Sequence, residues 1–70
     1  MNNNQLWFYG KGYYKAYTER PVVKQALARI AELQPAGEYY NVPDAENVDG
    51  KGWDFVVPSS KVNKVKRLLT

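Results

Sequence analysis

Two aromatic-rich runs, residues 6–9 and 13–17, lie on either side of Gly10-Lys11-Gly12. Glycine takes the positive φ of a tight turn without steric cost, and bulky alternating side chains on both sides of such a turn are the pattern of a β-hairpin. Placing Tyr9 opposite Tyr13 across a three-residue loop pairs Phe8 with Tyr14, Trp7 with Lys15 and Leu6 with Ala16. Successive strand residues point to opposite faces. Leu6, Phe8, Tyr14 and Ala16 therefore share one face, and Trp7, Tyr9, Tyr13, Lys15 and Tyr17 share the other. The first is read as core. The second carries the lysine and most of the phenols, whose hydroxyls prefer water or a partner, and is read as the wetter face.

From Thr18 the period changes. Thr18 is a candidate cap, Pro21 is tolerated in a first helical turn, and Val23, Ala26, Leu27, Ile30 and Leu33 recur at helical spacing, predicting an amphipathic helix of about four turns that Pro35 and Gly37 end. Residues 38–42 read as a third strand, 44–52 as a polar loop, and 53–57 as a fourth strand. Pro58-Ser59-Ser60 then breaks the strand and offers a hydroxyl cap to a last helix striped by Val62, Val65, Leu68 and Leu69. The expectation is an α+β fold of order ββαββα: a four-stranded, mainly antiparallel sheet with both helices packed on one face and the other face open. Residues 1–5 are expected to form a flexible N-terminal tail and 6–70 a single domain, since 70 residues cannot divide into two cores.

With no Cys and no His, the chain has no disulfide, no thiolate nucleophile, no imidazole base and no N/S ligand set for zinc. Carboxylate-only catalysis needs a cleft that so short a chain seldom encloses, so no enzyme activity and no cofactor are expected. No run approaches the roughly 18 apolar residues of a membrane span. The opening Met-Asn-Asn-Asn-Gln has neither the positive region nor the apolar stretch of a signal peptide, which predicts a complete cytoplasmic protein.

Asp44, Glu46, Asn47 and Asp49 invite comparison with a calcium loop, but counted from Asp44 the sixth position is Asp49 where glycine is needed and the twelfth is Phe55 rather than Glu. A solvated acidic loop turning at Asp49-Gly50 explains them. Gly10-Lys11-Gly12 joins two strands rather than leading into a helix, so it is a turn with an exposed cation rather than a phosphate loop.

Two surfaces remain for binding. One is the aromatic strand face of Trp7, Tyr9, Tyr13 and Tyr17 with Lys11 and Lys15, which Tyr39 and Asn41 extend, and on whose strands Asp54 and Glu38 set negative charge against phosphates. The other is the basic last helix, with Lys64 and Arg67, whose cations also complement a helix C-terminus without any partner. A net charge of +3 permits acidic partners without requiring them. The expected function is a small non-enzymatic binding module. Its aromatics would stack on single-stranded nucleic acid while Lys11, Lys15, Lys64 and Arg67 hold phosphates. The alternative is a protein-interaction or regulatory module, meeting an acidic protein or a second copy through the same face, so that monomer and homodimer both stay open. The aromatic strands resemble the RNA recognition motif, but the element order differs and the Lys/Arg-Gly-Phe/Tyr-Gly/Ala-Phe signature is absent. Gly12-Tyr13-Tyr14 in a basic hairpin resembles the arm-binding domains of phage integrases over those three residues alone.

Overall fold

The structure is a computed structural model that describes residues 4–43 and 48–69. Its elements run β1 (Gln5–Gly10), β2 (Tyr13–Thr18), α1 (Pro21–Ala28), β3 (Gln34–Tyr40), β4 (Lys51–Pro58), a single 3-10 turn (Ser59–Lys61) and α2 (Val62–Leu69). The strands form one sheet in the order β1-β2-β4-β3, every neighbouring pair antiparallel. The chain enters by a hairpin, crosses through α1 to the far edge, and returns up the middle as β4.

The first hairpin pairs Leu6 with Ala16, Trp7 with Lys15 and Phe8 with Tyr14, as the alternation requires. Its loop is tighter than expected. Gly10, not Tyr9, faces Tyr13, so Tyr9 is the extra residue of a bulge. Lys11 and Gly12 form the turn with φ of 54° and 80°, the two positive angles of a type I′ hairpin.

Ala16, Phe55 and Val57 line one face of the two central strands, and Val23, Leu27, Ile30, Val65 and Leu69 close over them. Full burial of side chains of this size contributes roughly 1.5 to 3 kcal/mol each. Both helices therefore share one face, and none of the described residues forms a layer over the other.

The first helix is shorter than its periodicity. It ends at Ala28, and Arg29 and Ile30 turn back onto Ala26 and Leu27 through i to i−3 bonds of 3.2 and 3.1 Å. Ile30 is still buried and Leu33 still packs on the core. A tight turn thus places the apolar spacing that a longer helix would have placed. Pro35, unable to continue a helix, lies inside β3, which starts at Gln34 rather than residue 38. It is tolerated there because β3 is an edge strand with a bulge between Pro35 and Gly37.

Neither expected hydroxyl cap forms. α1 starts from Arg20 with no side-chain cap bond, although Thr18 Oγ1 accepts the Arg20 N–H at 3.1 Å, and the 3-10 turn starts from Pro58 without one either. At the N-terminus Gln5 already pairs with Tyr17, and the Asn4 amide donates to the Leu69 carbonyl at 3.3 Å, so ordered contacts begin before Leu6. Of the acidic loop, Asp44, Glu46 and Asn47 lie outside the described residues; Val48 and Asp49 form a turn, followed by Gly50 at φ +67°.

Candidate aromatic binding face

Cross-strand register sets out the open face as a grid. One row runs Gln5, Tyr17, Asp54, Gly37, and the next Trp7, Lys15, Val56, Gln34, with Tyr13 and Pro58 beyond them. Trp7, Tyr9, Tyr13 and Tyr39 are each 41 to 59% exposed, so their rings present faces to solvent.

Asp54 sits at the centre on β4 and is only 3% exposed. Its Oδ2 accepts the Tyr39 hydroxyl at 2.9 Å and lies 3.4 Å from Lys15 Nζ. Lys15 in turn rests over the Tyr9 ring, 4.7 Å from its centroid. The charge expected to oppose phosphates is therefore buried and balanced from within the face. Oδ1 has no hydrogen-bond partner and lies toward Gly37, where an added Cβ would stand 3.3 Å from it. Donation to Asp54 raises the Tyr39 pKa above 10, helped by burial and the nearby negative charge. Glu38 is placed differently from the expectation: it pairs with Trp53 on the helix side, where the indole N–H donates to it at 3.1 Å.

Beyond Asp54 lies a polar corner. The Tyr17 hydroxyl donates to Glu19 at 2.8 Å and accepts from Asn41 at 3.0 Å, while its ring tilts against Tyr39 at 5.9 Å. Partial burial, then the Glu19 bond, raise the Tyr17 pKa. The Tyr17 ring occupies the space above Gly52, where any Cβ would collide with the phenol.

At the other end, Tyr9, Tyr13, Glu32, Gln34, Val56 and Pro58 line an open groove of about 520 Å³. The hairpin bulge turns Tyr9 toward it and the α1–β3 turn brings Glu32 to its rim. Four of these six residues were missed in the sequence reading; the alternation Asp54, Val56, Pro58 along β4 was the available signal for two of them, while Glu32 and Gln34 lay in what read as the end of a longer helix and its exit.

Trp7, Tyr9, Tyr13, Lys15 and Tyr17 are thus brought together, with Lys11 exposed at the hairpin tip. Lys64 and Arg67 are not. They are exposed on α2, whose Val65 and Leu69 pack on the opposite side of the sheet. Among the described residues no cluster of three or more acidic side chains could hold a metal ion, and no helix is long and apolar enough to cross a membrane. No protein-family model, no curated protein and no solved structure matches the chain.

Proposed function

We propose that this chain is a non-enzymatic protein-interaction module whose open sheet face is the contact surface. The observation that carries it is the combination of four half-exposed aromatic rings with a central carboxylate and lysine already paired to each other. Aromatic anchors on a rigid sheet keep few rotamers to lose, and such residues dominate interface energetics. Charge favours a protein over a polyanion. Lys15 is committed to Asp54, Glu32 stands on the rim, and the basic helix lies on the other face.

The nucleic-acid reading remains the second, favoured by the same rings with Lys11 at their edge, and it now rests on stacking rather than phosphate contacts. Selection of displayed random peptides on the immobilised chain tests the proposal, with binding re-measured on Trp7→Ser and Tyr13→Ser. Peptides that lose affinity for both variants support it. A single-stranded oligonucleotide bound more tightly than any peptide, with a shallow log–log salt slope of about −0.7 for the one uncommitted lysine, Lys11, would transfer the face to nucleic acid.

A further inference from the structure

We propose that β1 pairs edge to edge with β1 of a second copy of this chain, antiparallel about a two-fold axis at Trp7, joining two four-stranded sheets into one continuous sheet. This stands apart from the open-face reading, because it uses the outer backbone edge of the strand and the Phe8 side chain rather than the rings of that face.

A sheet edge carries backbone N–H and C=O groups that no neighbouring strand satisfies, and proteins blunt such edges with proline, charge or bulges. The two edges of this sheet are treated differently. β3 carries all three devices: Pro35, which has no N–H, a bulge between Pro35 and Gly37, and the exposed carboxylate of Glu38. β1 reads Gln-Leu-Trp-Phe-Tyr-Gly, with no proline and no charged residue, and its bulge falls at Tyr9 beside the turn, which leaves residues 5–8 regular. Along it Trp7, Phe8 and Tyr9 are 41, 62 and 59% exposed. Phe8 points to the helix side like Leu6, which packs on the core, yet it meets the edge of the Tyr14 ring at 5.4 Å between centroids and stays outside the core.

The difference between the edges names the occupant. Pairing β1 with β3 of another copy would repeat without closing and build a filament, and the devices on β3 oppose it. Pairing β1 with β1 closes at two copies and leaves only the protected β3 edges outside. The side chains then set the register. Residues directly opposed across an antiparallel pair share a face, and a two-fold axis normal to the sheet keeps the helices of both copies on one side. With Trp7 of one protomer opposite Trp7 of its partner, each Leu6 stands opposite a Phe8 and each Gln5 opposite a Tyr9. The two Leu6–Phe8 pairs carry the apolar layer across the join and cover the ring that a single copy leaves out. A centre at Leu6 would set Phe8 against Asn4, whose amide is held by the Leu69 carbonyl, and a centre at Phe8 would set Gln5 against Lys11 in the turn.

One short strand from each copy falls below the roughly 800 Å² per partner of a standard interface, which sets the dissociation constant on the order of 10 to 100 µM. Sedimentation equilibrium of the full chain from about 1 µM to about 1 mM is therefore expected to show monomer and dimer in exchange. Phe8→Lys adds a charge to the edge without entering the core, and should raise the dissociation constant at least about tenfold with the circular dichroism spectrum unchanged. A chain still monomeric at the highest concentration overturns the inference, as does a dimer indifferent to Phe8→Lys. A second measurement needs no charged variant. Opposed residues of an antiparallel pair lie about 4.5 to 5.5 Å apart at Cα, within reach of a disulfide, and the chain has no cysteine of its own. Under mild copper-catalysed air oxidation Trp7→Cys should cross-link at least about tenfold faster than Tyr13→Cys on the open face or Tyr40→Cys on β3. A rate for either of these that equals or exceeds that of Trp7→Cys overturns the inference and moves the second copy to the open face or to the other edge.

Discussion

Asp54 shows how one residue determines what a surface can do. A carboxylate at the centre of a sheet face is expected to repel anions, yet here it is enclosed, bonded by Tyr39 and balanced by Lys15, so the face reads as aromatic rather than acidic. Removing one partner of such a pair leaves the other uncompensated. Asp54→Ala is expected to lower the unfolding free energy by about 2 to 3 kcal/mol in urea titration, somewhat less than a fully buried pair because Lys15 can reach water. Replacing both partners by apolar groups, Asp54→Leu with Lys15→Met, should recover most of that loss. A double variant no more stable than Asp54→Ala would show that the packing of the carboxylate itself, not its charge, is what the fold uses. Gly52 belongs to the same scale: Gly52→Ala must displace the Tyr17 ring and its bonds to Glu19 and Asn41, at a cost of about 1 to 3 kcal/mol.

At the scale of elements, the strands of the first hairpin were legible because glycine punctuation and period-two alternation are both local signals. The α1–β3 connection was not. Val23, Leu27, Ile30 and Leu33 all meet the core, but after Ala28 a turn positions them, and helical spacing alone cannot distinguish a third helical turn from a tight bend serving the same face. What decided between them is non-local: Gln34 and Pro35 are drawn into pairing with Val56 and Phe55 of a strand still to come. α1 is consequently short and has no side-chain cap. Its first residue is Pro21, and Arg20 before it lies at φ −102° and ψ 118°, the extended geometry of a cap position, yet Arg20 puts a positive charge at the positive end of the helix dipole. Arg20→Asp should accept a free backbone N–H of the first turn and reverse that charge, stabilising the protein by about 1 kcal/mol. The thermal midpoint should then rise by roughly 4 to 8 °C, as measured by circular dichroism. An unchanged midpoint would mean that the bond from Arg20 N–H to Thr18 already fixes the start of the helix.

Across the whole molecule, sequence alternation put Leu6, Tyr14 and Ala16 on the core side of the hairpin, but Phe8, expected in the core with them, is 62% exposed and meets only the edge of the Tyr14 ring, since the core of the central strands does not extend to the end of the edge strand. With both helices expected on the core face, Lys64 and Arg67 fall on the opposite side from Trp7 and Tyr13, as they do, so a single ligand held by all four was never consistent with that architecture. Alternation could not place Glu38, whose orientation follows from the bulge before Gly37 in β3. That placement ties the edge of the sheet to the helix layer: Glu38 accepts from Trp53, and Lys24 of α1 lies over the same indole, 5.5 Å from the ring. The Trp53 bond, then one from Tyr40, and the charges of Lys51 and Lys24 hold the Glu38 carboxyl below its usual 4.5, against a smaller opposing effect of burial. A carboxylate whose folded pKa is depressed adds stability that is present above its unfolded pKa and lost as pH falls through the folded one. Tyr39 and Tyr17 act with the opposite sign. Their folded pKa values lie above 10, so what they add is present below pH 10 and is lost as pH rises through those raised values. The protein should therefore hold a plateau of stability between about pH 5 and 10, with Glu38, exposed to water on the helix side, adding a small share of the acid limb and the tyrosines of the open face adding to the alkaline one. Urea midpoints measured from pH 3 to 11 check this. Glu38→Gln should make the acid limb slightly shallower and leave the alkaline one unchanged, and Tyr39→Phe should make the alkaline limb shallower while leaving the Tyr17 share and the acid limb in place. If Glu38→Gln altered the alkaline limb as well, the two sides of the sheet would be coupled, and a partner docking on the aromatic face would be felt in the helix layer behind it.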